Sequence, residues 1–251
     1  MPVQLFIEGE PLTVSMCTPT HIREWAFGIL FTEGIIRSAE QVTSYSEEIE
    51  EHQITLRVSL ANAANAVTNK RSLLSVSACG ICGKTAFEPK TLSDDERSSM
   101  TPSDDELRSM TLRDDRKADD EQSSMTLRED IAKMMVQLRE VQTLFEETGG
   151  CHAAGVFNKN QELLFASEDI GRHNAVDKVV GSLVIHQQLR EAKYLMVSGR
   201  VSYEIVAKCF AAGIPHLAAV SSPSSLAVDF AKELGISLFA FCRENRITQY
   251  A

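Results

Sequence analysis

The chain has 251 residues, 43% hydrophobic and 24% charged, with a formal net charge of −10. That length can bury a full core in one or two domains, and no apolar run approaches a membrane span. Residues 92–130 hold 13 Asp/Glu against 6 Lys/Arg, a local −7 that leaves only −3 elsewhere, which argues against a general nucleic-acid surface but not against a small basic pocket.

The first residues, MPVQLFIEGEPL, show neither a basic segment nor a sustained apolar run, so no signal peptide is expected. The cysteines at 17, 79, 82, 151, 209 and 242 then read as reduced thiols of a cytoplasmic protein. Val3, Leu5 and Ile7 alternate with polar neighbours, and Glu8–Pro11 signals a turn before Leu12–Met16, which predicts a hairpin. Thr18-Pro19 predicts a helix start, with Ile22, Trp25, Ala26, Ile29 and Leu30 at helical spacing and Gly34 as the stop. Ile54, Leu56, Val58 and Leu60 alternate as a half-buried strand.

The octets DDERSSMT (94–101), DDELRSMT (104–111) and DDEQSSMT (119–126) are near copies with little to bury, and they predict a solvated, mobile insertion over 91–128. An exposed helical extension is the alternative. From Glu129, the residues Ile131, Met134, Met135, Leu138, Gln142 and Phe145 mark one helical face ended by Gly149-Gly150, a stripe suited to core packing. Strands are expected at 153–157, 163–166, 194–197, 216–220 and 236–241, with helices through Val176–Val184, Ile205–Phe210 and Leu226–Leu234. Two helical crossovers between the last three strands imply parallel neighbours covered by helices. The organisation expected is an N-terminal α+β subdomain (1–76), a C-x-x-C loop (77–90), the insertion (91–128) and a layered α/β domain (129–251).

Ligands of such sheets sit beyond the carboxyl ends of the strands. Those ends read Ser198-Gly199-Arg200, Ser221–Ser225 and Phe241-Cys242-Arg243-Glu244-Asn245-Arg246. Serines there can simply cap helices and arginines can lie in water, but three such loops together suit a phosphorylated or nucleotide-bearing ligand. The segment Glu168–Lys178, with Arg172 and His173, can either cap a helix or donate to an anion. His152 is a candidate near the start of the sheet. A Cys151–His152 nucleophile pair is disfavoured, because adjacent strand side chains face opposite ways.

The pair Cys79-Gly-Ile-Cys82 has no partner motif in the chain. Structural zinc normally takes four ligands, and zinc-deaminase chemistry wants His-x-Glu ahead of Pro-Cys-x-x-Cys, so no metal is expected. A redox pair would sit at a strand–helix junction. Sulfur carriage fits a glycine-flanked loop better: a thiolate accepts a sulfane sulfur as a persulfide, and a second thiol two residues away helps to release it.

The segments SACGICGK (77–84), TGGCHAAGVF (148–157), SEDIGRHNAVDKVVG (167–181), VSGRVSYEIVAKC (197–209) and AVSSPSSLAVDFAKELGISLFAFCR (219–243) resemble the formate dehydrogenase accessory sulfurtransferase (FdhD) family; TPTHIREWAFGILFTEGII (18–36) is similar to its N-terminal region. The resemblance implies a cytidine-deaminase-like α/β fold and a cytoplasmic sulfurtransferase. It would take persulfide sulfur from a cysteine desulfurase on Cys79, aided by Cys82. The sulfur would pass to the molybdenum cofactor in its bis(molybdopterin guanine dinucleotide) form, for formate dehydrogenase. It also implies cofactor binding by Phe241–Arg246, with Ser198, Gly199, Arg200, Arg172, His173 and His152 around the same pocket. A homodimer is the assembly expected of the family. The long link between the C-x-x-C loop and the next helix departs from the family pattern, and no role is carried onto Cys151.

Overall fold

The computed structural model describes residues 1–61, 117–243 and 246–251. The C-x-x-C loop and most of the acidic insertion lie outside these residues.

The alternating residues of the N-terminal part pair as β1 (Pro2–Ile7) and β2 (Glu10–Met16), an antiparallel hairpin. β3 (Val42–Ile49) and β4 (Ile54–Leu60) form a second one, and β4 runs parallel to β1, so the sheet order is β2-β1-β4-β3. Val3, Leu5, Leu56 and Val58 are buried on its inner face. β3 carries no apolar alternation: as an edge strand it is largely exposed, with the sequence VTSYSEEI. Helix α1 (Ile22–Thr32) starts three residues later than Thr18-Pro19 predicts, with His21 at its N-cap in the left-handed region (φ 52). Thr18 is otherwise engaged: its amide donates to Asp169 Oδ2 at 2.9 Å, and its hydroxyl accepts from the Ile170 amide at 3.1 Å.

Helix α2 (Lys117–Glu140) begins inside the stretch expected to be a mobile insertion, so that the last of the three octets is helical. The predicted stripe over 131–145 is divided between α2 and a short α3 (Thr143–Thr148). Glu168 sets that break: its two carboxylate oxygens accept from the Leu144 and Phe145 amides, each at 2.8 Å. Such bonds satisfy the donors that a helix start leaves open.

The remainder alternates: β5 (His152–Asn158), β6 (Leu163–Asp169), α4 (Arg172–Ile185), β7 (Ala192–Val197), α5 (Tyr203–Ala211), β8 (His216–Ala219), α6 (Ser225–Glu233), β9 (Ser237–Arg243) and β10 (Arg246–Gln249). The sheet order is β10-β9-β8-β7-β5-β6. β7, β8 and β9 are parallel, as the crossover helices require, while β5 runs antiparallel to both β6 and β7 and β10 antiparallel to β9. The fold is thus mixed α/β with two mixed sheets.

One apolar cluster joins the inner face of the four-stranded sheet, α1, α4 and one face of the six-stranded sheet; α2 covers the other face through Ile131, Met134, Met135 and Leu138. α1 and α4 meet backbone to backbone at Gly28 and Gly181. A Cβ on Gly28 would overlap the Asp177 carbonyl, and one on Gly181 the Glu24 carbonyl.

Buried polar groups lock the same junction. Lys178 Nζ lies 2.7 Å from Asp169 Oδ2 with both side chains fully buried, and it also donates to the Thr18 carbonyl at 3.0 Å. Asn174 bonds Trp25, Asp169 and the Met16 carbonyl. Lys208 donates to Asp177 Oδ1 at 2.7 Å and to Thr32 Oγ1 at 3.0 Å. Buried charges persist where they are paired and their remaining valences are bonded.

Candidate functional site

Two backbone details build the carboxyl edge of the parallel strands. Ser198, just past β7, donates its amide to the Ala153 carbonyl at 2.9 Å and accepts the Ala153 amide on its hydroxyl at 2.8 Å. This holds the first residue of β5, His152, beside Gly199. A Cβ at Gly199 would come within 3.4 Å of His152 Nδ1 and within 3.3 Å of the Arg172 side chain, so that these three positions are in contact. In β9, Phe241 has φ 55, and the pairing with β10 shifts register between Arg246 and Thr248. Phe239 and Cys242 consequently share the α2 side of the sheet, three positions apart, where unbroken alternation would give two.

Between this edge and α2 lies a cavity of about 950 Å³. The sheet contributes His152, Ser198, Val220, Cys242 and Arg243. The helix contributes an apolar strip, Met135, Val136 and Leu138, with the cations Lys133, itself 3.5 Å from Asp130, and Arg139, and one carboxylate, Glu140. Arg139 also lies 4.8 Å from the centre of the Phe145 ring. A largely apolar concavity with a few cations suits an aromatic, anionic ligand of about one nucleotide.

The expected site residues divide as follows. His152, Ser198, Cys242 and Arg243 line the cavity. Gly199 and Arg172 adjoin it through His152. Arg200 is exposed just beyond β7. His173 is turned to Ser202, with Nε2 3.0 Å from the hydroxyl, and is not in the lining. Phe241 and Arg246 are not in the lining either: the bulge turns Phe241 towards Tyr250, and the Arg246 guanidinium rests 5.3 Å from its ring centre. Cys79, Cys82, Glu244 and Asn245 lie outside the described residues. The acid-rich stretch 168–178 is mainly architectural, since Glu168, Asp169, Asn174, Asp177 and Lys178 are all spent on the buried networks.

Burial, then the charges of Arg172 and Arg200, holds the His152 imidazole below its ordinary pKa. Burial chiefly, with Arg172 and Lys208, pushes His173 down to about 3. Both rings are therefore neutral near pH 7, and positive charge at this edge is carried by arginine and lysine. Burial raises the Cys242 thiol to about 11, which keeps it protonated. Among the described residues, no three His, Cys, Asp or Glu side chains converge so as to hold a metal ion.

Lys133, Val136, Arg139 and Cys151 also line the cavity and were not singled out as site residues from the sequence. The helix of the first three reads as a core stripe, and nothing local says that its flank closes a pocket.

The family model described as the FdhD/NarQ family matches residues 1–251. The chain belongs to the FdhD/NarQ family. Relatives called sulfur carrier protein FdhD include those of Mycolicibacterium paratuberculosis, 37% identical over 99% of this chain and 87% of that protein, and of Saccharolobus solfataricus, 34% identical over 98% and 83%. A crystal structure from Desulfotalea psychrophila, described as a formate dehydrogenase accessory protein, superposes with a TM-score of 0.67 at 23% identity, over 100% of this chain and 86% of that one. The FdhD/NarQ fold is thus the one described above, and the cavity is a feature of this family member's sheet edge.

Proposed function

We propose that the protein is a cytoplasmic sulfur carrier that serves formate dehydrogenase, taking sulfane sulfur onto Cys79 and passing it to the molybdenum cofactor as substrate. The observation that carries this reading is the cavity at the carboxyl edge of β7–β9, where Arg243, Lys133 and Arg139 surround an apolar strip in a chain whose relatives are named sulfur carriers. Its size suits one guanine-nucleotide arm of a bis(molybdopterin guanine dinucleotide), the stacked base on the α2 strip and the phosphates towards the cations. Cytidine-deaminase-like layering belongs to the same reading, as does pairing of two copies, which would bring two such cavities to one bis-dinucleotide.

The sulfur chemistry balances with the two thiols alone. A Cys79 thiolate attacks the terminal sulfur of a desulfurase persulfide, the Cys79 S–S bond forms and the donor leaves as a thiolate. For release as sulfide, Cys82 attacks the inner sulfur of the Cys79 persulfide. A Cys79–Cys82 disulfide forms, and its two thiols have supplied the two electrons that reduce the departing atom. The test is loading: the protein is incubated with a cysteine desulfurase and isotopically labelled cysteine, and the peptide containing both thiols is weighed. Added sulfur is expected in the wild type and not in a Cys79→Ala, Cys82→Ala variant; label that persists in the variant refutes the assignment.

A further inference from the structure

Gln142 joins α2 to α3 and is only 5% exposed, yet its side-chain amide hydrogen-bonds no described residue. Burying an amide without a partner costs free energy, and native proteins seldom do it. Helix capping, the ordinary local use of such a group, is closed to it. Glu168 already takes the Leu144 and Phe145 amides at the start of α3, each at 2.8 Å. The Gln142 backbone is held on both sides: its amide donates to the Arg139 carbonyl at 3.2 Å, and its carbonyl accepts from the Glu146 amide at 3.1 Å. What the side chain does reach is the 950 Å³ cavity, whose lining it joins four positions beyond Leu138, at the end of the apolar strip. A donor group and an acceptor thus stand side by side on a fixed backbone, against the space given to the guest.

We propose that Gln142 reads the ring edge of the guest. Its Oε1 accepts a ring N–H while its Nε2 donates to the adjacent ring carbonyl, a pairing that fits the 2-amino-4-oxopyrimidine edge common to guanine and to a pterin. The assignment rests on the nucleotide reading of the cavity and names the group that selects the ring. A ring lying flat on Met135, Val136 and Leu138 turns its edge, not its face, towards the end of the strip where Gln142 stands. The cations Arg139 and Arg243 serve phosphates and do not distinguish one ring from another. A site that hydrogen-bonds a buried edge rejects a guest without that edge, because its own amide is then left unpaired. Keeping the amide unpaired lowers the stability of the protein alone, an exchange expected of a binding group rather than of a packing one.

The experiment compares the wild type with Gln142→Met, which keeps the side-chain length and removes both hydrogen-bonding groups. Titration calorimetry uses three probes: guanosine diphosphate, 6-hydroxymethylpterin diphosphate and inorganic pyrophosphate. At least one of the two ring-bearing probes is expected to bind the variant about ten-fold more weakly, with pyrophosphate within about two-fold of wild type. The ring that loses affinity is the one seated against Gln142. The variant should also melt at or slightly above the wild-type temperature, since an apolar group replaces a buried amide that has no partner. Unchanged affinity for both ring-bearing probes overturns the proposal. So does an equal loss for pyrophosphate, or a melting temperature several degrees lower, which marks a structural role. Failure of the cavity reading is seen separately, in the wild type, as no binding of either ring-bearing probe, and it ends both assignments.

Discussion

Arg243 ends β9 and Arg246 begins β10, yet the structure gives them different surroundings. Arg243 lines the cavity, while the Arg246 guanidinium rests on the Phe241 ring. Charge-assisted hydrogen bonds contribute about 1.5–3 kcal/mol, so Arg243→Ala should weaken binding of guanosine diphosphate by roughly ten-fold or more, and Arg246→Ala by less than about two-fold. Titration calorimetry checks both; equal losses would place the phosphates outside the cavity. His173 gives a pH prediction of definite sign. Its pKa falls from an ordinary 6.5 to about 3 on folding, so the unfolded chain binds the proton first. Stability from this group is full above about pH 6.5 and is lost as pH falls towards 3, by at most about 1.4 kcal/mol per pH unit. Melting curves between pH 7 and 4 should show a shallower fall for His173→Gln than for the wild type.

At the scale of elements, the junction of α1 and α4 is the least tolerant place in the described fold. Gly28→Ala or Gly181→Ala forces a methyl group into the opposite helix backbone. Overpacking of this kind costs about 1–3 kcal/mol, and more where backbone must move. Either variant should melt several degrees lower or fail to fold, while Gly34→Ala, with open space around its Cβ and only a left-handed φ to strain, should lose less. Thermal denaturation distinguishes them. Strands β1 and β4 and the parallel run β7–β8–β9 are legible in sequence because each buries an alternating or continuous apolar pattern, while β2, which buries Thr13 and leaves Val14 and Met16 exposed, is marked by the turn residues before it. β3 is not, since an exposed edge strand has no buried face to imprint on its sequence. The bulge at Phe241 escapes for another reason: a left-handed φ at a bulky residue opposes local preference and is imposed by the sheet. The carboxyl-end rule pointed to Ser198, Cys242 and Arg243, which line the cavity because topology sets where loops gather, whereas His152, at the start of β5, reaches the same edge because β5 runs antiparallel to β7. It could not find Lys133 or Arg139, which come from a helix packed across the sheet from another part of the chain.

Over the whole molecule, the acidic, mixed-charge motif 168–178 explains why the N-terminal sheet and the larger sheet share a core. Asp169 and Lys178 tie Thr18 to the loop before α4, and Asp177 with Lys208 ties Thr32 to α5. Removing one partner of a buried pair costs about 3–5 kcal/mol, so Lys178→Met should destabilise the protein by that order, measured by denaturant unfolding, and an added Asp169→Asn should recover part of the loss. This frame presents the cavity at the strand ends, and the proposed chemistry brings sulfur to it from a thiol pair elsewhere in the chain. Single-turnover handover tests that idea most directly. Wild-type protein and Arg243→Ala are charged with labelled sulfur, mixed with molybdopterin guanine dinucleotide, and the label on the Cys79 peptide is followed in time. Equal charging, prompt loss of label to the pterin in the wild type, and loss slower by about ten-fold in Arg243→Ala are predicted. Label that stays on Cys79 in the wild type, or that leaves equally fast from the variant, would contradict it.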